Sequence, residues 1–263
     1  MKIATWNVNS LRVRLGHVVD WLERERPDVL ALQETKVRND DFPADAFAGL
    51  GYEVSCNGQP AYNGVALVSR RPITDVRTEI DGFPDPQRRV LAATIDGVRI
   101  FNLYVPNGQR VDSDNYRYKL DWLAALRADV AGELTRHPEC VLLGDFNVAP
   151  DDRDVHDPAA WQGKVLCSEP ERGALGRLLE VGFTDLFRTF EPEARSFSWW
   201  DYRAGGFRRN LGLRIDLILA SDAMRVRCTA CRIDAAPRRL ERPSDHTPVV
   251  AEFDARDQAG RLA

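Results

Sequence analysis

Lysine is scarce in this 263-residue chain: Lys2, Lys36, Lys119 and Lys164 are the only ones among its 36 basic residues. Cysteine is scarce as well. Cys56, Cys140, Cys167, Cys228 and Cys231 are odd in number and scattered, which excludes a disulfide framework and fits a reducing compartment. Cys228 and Cys231 form a C-x-x-C, but no second pair lies at zinc-site spacing. In VRCTACRI they read as strand residues pointing to opposite faces. No apolar run approaches the ~18 residues that a membrane span needs. The N-terminal MKIATWNVNS lacks the apolar stretch and small-residue cleavage site of a secretion signal. A cytoplasmic chain with no membrane partner is expected. No Gly-, Pro- or Ser-rich linker and no repeat divides it. With 44% hydrophobic and 29% charged residues it is too apolar for disorder. One large domain over residues 1–254 is expected, followed by a polar tail at 255–263 that frays.

The net charge of −4 does not announce a nucleic-acid partner, but binding depends on where charge lies rather than on its sum. Codon usage in a GC-rich genome accounts for the overall arginine excess. The local run from Arg203 to Arg214 says more: four arginines and no acid, interleaved with Gly205, Gly206 and Phe207. Arginine suits phosphate because its planar fork donates two parallel hydrogen bonds.

Residues 2–6 read as a strand. Ser10 stands where it can cap a helix whose apolar positions Leu11, Leu15, Val18, Val19 and Leu22 keep helical spacing up to Pro27. VLALQ at 29–33 reads as a buried strand, 43–50 as weakly helical, and 52–56, 64–69, 89–95 and 98–105 as strands. The stripe Leu120, Leu123, Leu126, Val130, Leu134 predicts a long helix over 113–135. VLLG at 141–144 ends in Asp145, and a helix over 173–181 stops at Gly182. Strands return at 195–200, 213–220, 225–233 and 248–253. Many strands with few helices favour two sheets packed face to face and covered by helices.

Several of these apolar runs end in, or carry, a carboxylate or an amide: Asn7, Glu34, Asp145 with Asn147, Asp216, and Asp245 with His246. Taken singly, each is commonly a turn residue, a cap or an ion-pair partner. In layered sheet proteins, strand ends are where side chains from distant segments converge. Carboxylates suit a hard cation such as Mg²⁺, amides donate to phosphate oxygens without charge repulsion, and a histidine buttressed by aspartate orients a proton transfer. No G-x-S-x-G elbow or phosphate-binding P-loop is present. Metal-assisted phosphoester hydrolysis is the chemistry that this set fits best.

The strings TWNVNSLR, LQETK, NLYVPNG, GDFN, GLRIDLIL and PSDHTPV, in that order, resemble the exonuclease III family of abasic-site endonucleases, within the endonuclease/exonuclease/phosphatase superfamily. The resemblance runs from residue 1 to about 254. It implies a four-layered α/β sandwich with two packed mixed β-sheets flanked by helices. It also implies Mg²⁺, with Mn²⁺ as a substitute, held by Glu34 with Asp245 and supported by Asn7. Asp145 resembles the acid/base residue, Asn147 a phosphate or water donor, and His246 the catalytic imidazole oriented by Asp216. Tyr104 resembles a phenol near the scissile phosphate, and nothing but the resemblance points to it. Asn107 resembles a DNA-phosphate contact. Trp199, Leu213 and Ile215 are candidates for the wall of a pocket holding a flipped-out abasic sugar, and Arg110, Arg203, Arg208, Arg209 and Arg214 for contacts to the DNA backbone.

The implied activity is cleavage 5′ to abasic sites, with 3′-5′ exonuclease and 3′-phosphatase activities, by a monomer acting on double-stranded DNA with abasic sites or blocked 3′ ends. Position 9 is Asn where eukaryotic relatives carry an acid, and position 213 is Leu where they carry Trp, which places the chain nearer the bacterial branch. A superfamily phosphatase acting on inositol phosphates or phospholipids is one competing interpretation. A DNA-binding module with a decayed site is another, opposed by the presence of every catalytic group.

Overall fold

The computed structural model describes residues 1–255; most of the tail expected at 255–263 lies outside the described residues. Fourteen strands form among these: β1 (Lys2–Asn7), β2 (Val29–Gln33), β3 (Glu53–Asn57), β4 (Val65–Ser69), β5 (Thr74–Arg77), β6 (Val90–Ile95), β7 (Val98–Tyr104), β8 (Cys140–Asp145), β9 (Phe183–Asp185), β10 (Trp199–Trp200), β11 (Gly212–Leu213), β12 (Asp216–Ser221), β13 (Cys228–Ile233) and β14 (Val249–Phe253). One six-stranded sheet runs β13-β14-β1-β2-β4-β3 and the other β5-β6-β7-β8-β12-β9, while β10 and β11 pair as a separate ribbon.

The sheets pack face to face. Ile3, Val29, Ala31, Val65 and Leu67 of the first meet Leu91, Ile100, Val141, Leu143 and Ile218 of the second in a fully buried core. On the outer face of the first sheet Trp6, Leu30 and Val68 pack on Leu11, Val18, Trp21 and Leu22 of helix Leu11–Glu25. Outside the second, Phe101 and Leu142 pack on Trp122, Leu126 and Val130 of helix Asp114–Arg136 and on Leu175 and Leu178 of helix Glu169–Leu179. Strands covered on both faces need apolar side chains at every position. That is why VLALQ, VALVS and CVLLGD are buried throughout. The four-layered sandwich is the fold expected.

Register fixes where the polar ends go. β1 runs parallel to β2 with Asn7 opposite Gln33, and β7 runs parallel to β8 with Tyr104 opposite Asp145. β12 runs antiparallel to β8 with Asp216 opposite Asp145. All these ends lie along one edge of the sandwich.

Some local expectations need correcting. Ser10 does not cap its helix; its own N–H and that of Leu11 donate to the carbonyls of Glu34 and Thr35 (2.8 and 3.0 Å), so the following loop satisfies the helix start. The helix expected at 173–181 begins earlier, at Glu169, where Ser168 and Glu171 form a capping box. The run 195–200 is a strand only at Trp199–Trp200, and 213–220 is two strands. The strand expected at 225–233 starts only at Cys228, and Arg225 instead ends a short helix, Asp222–Arg225. A bulge between Cys228 and Ala230 shifts the register, so Cys228 and Cys231 both pack against the core between the sheets instead of pointing to opposite faces.

Candidate active site

Asn7, at the end of β1, ties the two sheets together. Its Nδ2 donates to Glu34 Oε1 and to Asp145 Oδ2, both at 2.9 Å, while its Oδ1 accepts the N–H of Asn9. Glu34 follows β2 directly and sits at φ 50°, a left-handed conformation that costs a residue of this type energy and recurs at functional sites. The strain is held by backbone bonds from Ser10 to Glu34 and from Thr35 to Gly64 (2.8 and 3.1 Å). Lys36 lies 3.0 Å from Glu34 Oε2 and donates to Asn9 Oδ1 at 2.6 Å. Asn9 in turn donates to Asp245 Oδ1 at 2.9 Å, and the Trp199 indole N–H donates to Asp245 Oδ2 at 3.0 Å.

On the other sheet, Asp216 is fully buried at the start of β12. It faces His246 Nδ1 at 2.9 and 3.1 Å and accepts from Ser198 Oγ at 2.6 Å. His246 Nε2 points toward Asp145 Oδ2 at 3.7 Å. Asn147, also left-handed at φ 49°, has its backbone N–H on Asp145 Oδ1 at 2.9 Å, and its side chain accepts from Asn107 Nδ2 at 3.1 Å. Tyr104, opposite Asp145 on the neighbouring strand, closes the ring, and the Arg89 guanidinium lies 4.6 Å above its ring centre.

The electrostatics follow from burial and crowding. Burial pushes Asp145 up to about 7, against the pull of the His246 charge and with the help of Asp216. Burial alone would lower His246, but the carboxylates of Asp216 and Asp145 outweigh it and raise the imidazole to about 10. Burial, with the charges of Glu34 and Asp145, holds the Tyr104 phenol well above its ordinary value, so it stays a proton donor. For Asp245 burial is outweighed by His246, Trp199 and Asn9, which keep it below the usual carboxylate range.

Ligand atoms of Glu34, Asp145 and His246 lie within 4.8 Å of one another, an acidic cluster able to hold a metal. Two hard carboxylates facing one point fit a divalent cation. The structure brings Asp145, expected as the acid/base residue, beside Glu34 in this cluster, while Asp245 accepts from Asn9 and Trp199 next to it. Asn7 turns its NH₂ to both Glu34 and Asp145.

Residues 4–246 match the endonuclease/exonuclease/phosphatase family. The exodeoxyribonuclease III of Haemophilus influenzae is 35% identical, with 96% of this chain and all of that protein covered. The chain belongs to this family, in its exonuclease III branch. It is a hydrolase acting on DNA. Among solved structures, a 3′ phosphatase from Neisseria bound to a product DNA hairpin superposes with a TM-score of 0.96 at 50% identity, over 97% of this chain and 100% of that one. An AP endonuclease from Archaeoglobus fulgidus gives 0.93 at 42% identity with the same coverage. Nuclease relatives along the whole chain disfavour the inositol-phosphate alternative.

Of the residues expected to face DNA in this exonuclease III-type chain, Asn107, Arg110, Arg203, Arg208 and Arg209 are exposed, and Trp199 is half-buried beside Asp245. Arg203 forms an ion pair with Asp201. Leu213 and Ile215 are buried with Val155 and Leu166 in a small apolar cluster and present no surface to a ligand. Arg214 is a clear correction. It is fully buried, with Nε 2.6 Å from Asp154 and Nη2 2.7 Å from Asp185. Its role is structural: Arg214→Ala leaves buried Asp154 with Arg188 as its remaining cation and takes the cation from half-buried Asp185, and the expected loss is about 3 kcal/mol of folding stability by denaturant titration. The salt dependence of DNA binding should not change in that variant. The resemblance and strand-end pattern missed Lys36 and Ser198, and marked Asn9 only as a departure from eukaryotic relatives. A lysine two residues after Glu34, in a chain with so few, was the available signal for the first.

Proposed function

We propose that residues 1–254 act as one domain, a monomeric, cytoplasmic, Mg²⁺-dependent phosphodiesterase of DNA repair. Its substrates are abasic sites in double-stranded DNA, cleaved on the 5′ side, and blocked 3′ ends, removed by 3′-phosphatase and 3′-5′ exonuclease action. The carrying observation is the continuous network in which Asn7 joins Glu34 to Asp145 while Asp216 holds His246 against Asp145. Named relatives support the substrate: a 3′ phosphatase with product DNA, a 3′-5′ exonuclease and an AP endonuclease.

Glu34 would hold the cation, with Asp145 within reach of the same point; Mn²⁺ would substitute. When bound, Mg²⁺ supplies positive charge to the phosphoryl oxygens and the departing oxygen. Asp145, facing His246 Nε2 and held by Asn7 and the Asn147 N–H, accepts a proton from the attacking water. The His246 imidazolium, fixed through Nδ1 by Asp216, donates from Nε2 to a phosphoryl oxygen. Tyr104 donates its phenolic proton to the same group, and the Asn147 and Asn107 amides steady the phosphate without adding negative charge. Asp245 acts one layer out, through Asn9 and Lys36 on Glu34. Arg110, Arg203, Arg208 and Arg209 contact the DNA backbone, and Trp199 borders the abasic sugar.

Duplexes carrying one abasic site or one 3′-phosphate, incubated with Mg²⁺ or with EDTA, test the proposal. Both should be processed with Mg²⁺ and neither with EDTA. Processing of the 3′-phosphate alone would remove the abasic-site assignment, and metal-independent turnover would remove the mechanism. Affinity for duplex DNA in EDTA should fall steeply between 50 and 200 mM salt, about tenfold or more, because arginine–phosphate contacts release counterions. A flat salt dependence would contradict the arginine face.

A further inference from the structure

Behind Asn107 and Asn147 lies a buried ion pair that the mechanism above does not use. Lys119, on helix Asp114–Arg136, and Glu171, on helix Glu169–Leu179, are both fully buried. Lys119 Nζ donates to the backbone carbonyls of Asn107 (3.1 Å) and Asn147 (2.6 Å) and to Glu171 Oε1. Those three acceptors use its three protons. Glu171 in turn accepts the N–H of Leu166 at 3.0 Å and of Ser168 at 3.2 Å. The loop carrying Asn107 lies directly on the lysine stem: a Cβ built on Gly108, at φ 89°, would stand 3.2 Å from Lys119 Cδ.

A buried charge is costly to place, and a lysine–glutamate pair is commonly no more stable than apolar residues of the same volume. This one is set where its ammonium clamps together the two segments bearing the phosphate-contacting amides. We infer that Lys119, balanced by Glu171, is a positioning residue. It fixes the backbone at Asn107 and Asn147 so that both amides meet the phosphoryl group, and it does so without touching substrate. The inference rests on the roles proposed for Asn107 and Asn147.

Removing Lys119 alone would leave Glu171 unpaired and endanger the fold, so the informative variant is Lys119→Met/Glu171→Gln. It is neutral; its glutamine oxygen can keep the Leu166 N–H that Oε1 accepts, and its NH₂ can donate to Ser168 Oγ, at the loss of the Ser168 N–H bond that Oε2 accepts. This variant should melt as a single cooperative transition like the wild type. Its kcat on an abasic or 3′-phosphate duplex should fall about ten- to a hundredfold, the scale of a small misplacement of catalytic groups, with KM changed less than about threefold. Combined with Asn107→Ala/Asn147→Ala, it should add little to the loss from that pair alone, because all of these changes act through the same two amides. Wild-type kcat in a folded variant, or a loss that multiplies in full with that of Asn107→Ala/Asn147→Ala, would overturn the positioning role. If Asn107→Ala/Asn147→Ala itself leaves turnover intact, the roles proposed for the two amides fail, and this inference with them.

Discussion

Asp216→Asn is expected to cripple turnover, by about 10² to 10⁴-fold, although Asp216 is fully buried and touches no substrate. Among the described residues the carboxylate is the only acid on His246 Nδ1, and it also accepts from Ser198 Oγ. An amide there keeps the shape but loses the charge that stabilises the imidazolium. It can also present an NH₂ to Nδ1, which favours the wrong tautomer. His246 loses the partner that most raises it, so in the variant it should lose its proton at a lower pH than in the parent. Because the two residues act as a unit, Asp216→Asn/His246→Asn should be hardly worse than His246→Asn alone. Single-turnover cleavage of an abasic duplex across the four proteins measures this. Losses that multiply in full would show Asp216 working apart from the imidazole.

Glu34→Gln is the second large effect. The glutamine oxygen can still accept from Asn7, but its NH₂ then faces Lys36, where Glu34 Oε2 now lies 3.0 Å from the ammonium. The cluster loses one of its two hard anionic oxygens, and cation affinity depends on ligand charge. Turnover at 1 mM Mg²⁺ should drop at least about a hundredfold, the upper range for disturbing a metal site's ligand set, and recover in part as Mg²⁺ is raised. DNA binding measured in EDTA should match the wild type or exceed it, since a negative charge has been taken from the phosphate's path. Near-wild-type turnover at low Mg²⁺ would mean that Asp145 and His246 suffice to hold the ion.

Much of the site was legible because the fold makes it so. Strands buried on both faces must be apolar until the chain leaves the sheet, so the first polar residue after each run marks the sandwich edge. Asn7 and Asp145 close their strands, Glu34 follows β2, and Asp216 marks the same edge from the start of β12. Tyr104 does not stand out in the same way, since a phenol ending a strand looks like any half-buried aromatic; only the family resemblance singled it out. The arginines failed for a different reason. The partners of Arg214 are Asp154 and Asp185, 60 and 29 residues away, and no window on the sequence brings them together. The Lys36–Asn9–Asp245 chain was hidden in the same way, by a contact between residues 236 apart. Short elements such as Thr74–Arg77 and Phe183–Asp185 carry too few residues to show a period, and tertiary pairing alone makes them strands.

The bond from Asn7 to both Glu34 and Asp145 spans the seam between the two halves of the sandwich. Asn7 and Glu34 belong to one half, and Tyr104, Asp145 and Asp216 to the other. Neither half owns a reaction. A chain in which each sheet had formed but the pair had not docked would be rich in native structure and chemically silent. Catalysis in this protein is thus a property of a joint, and the rate of phosphoester cleavage gauges how squarely two slabs of β-structure meet.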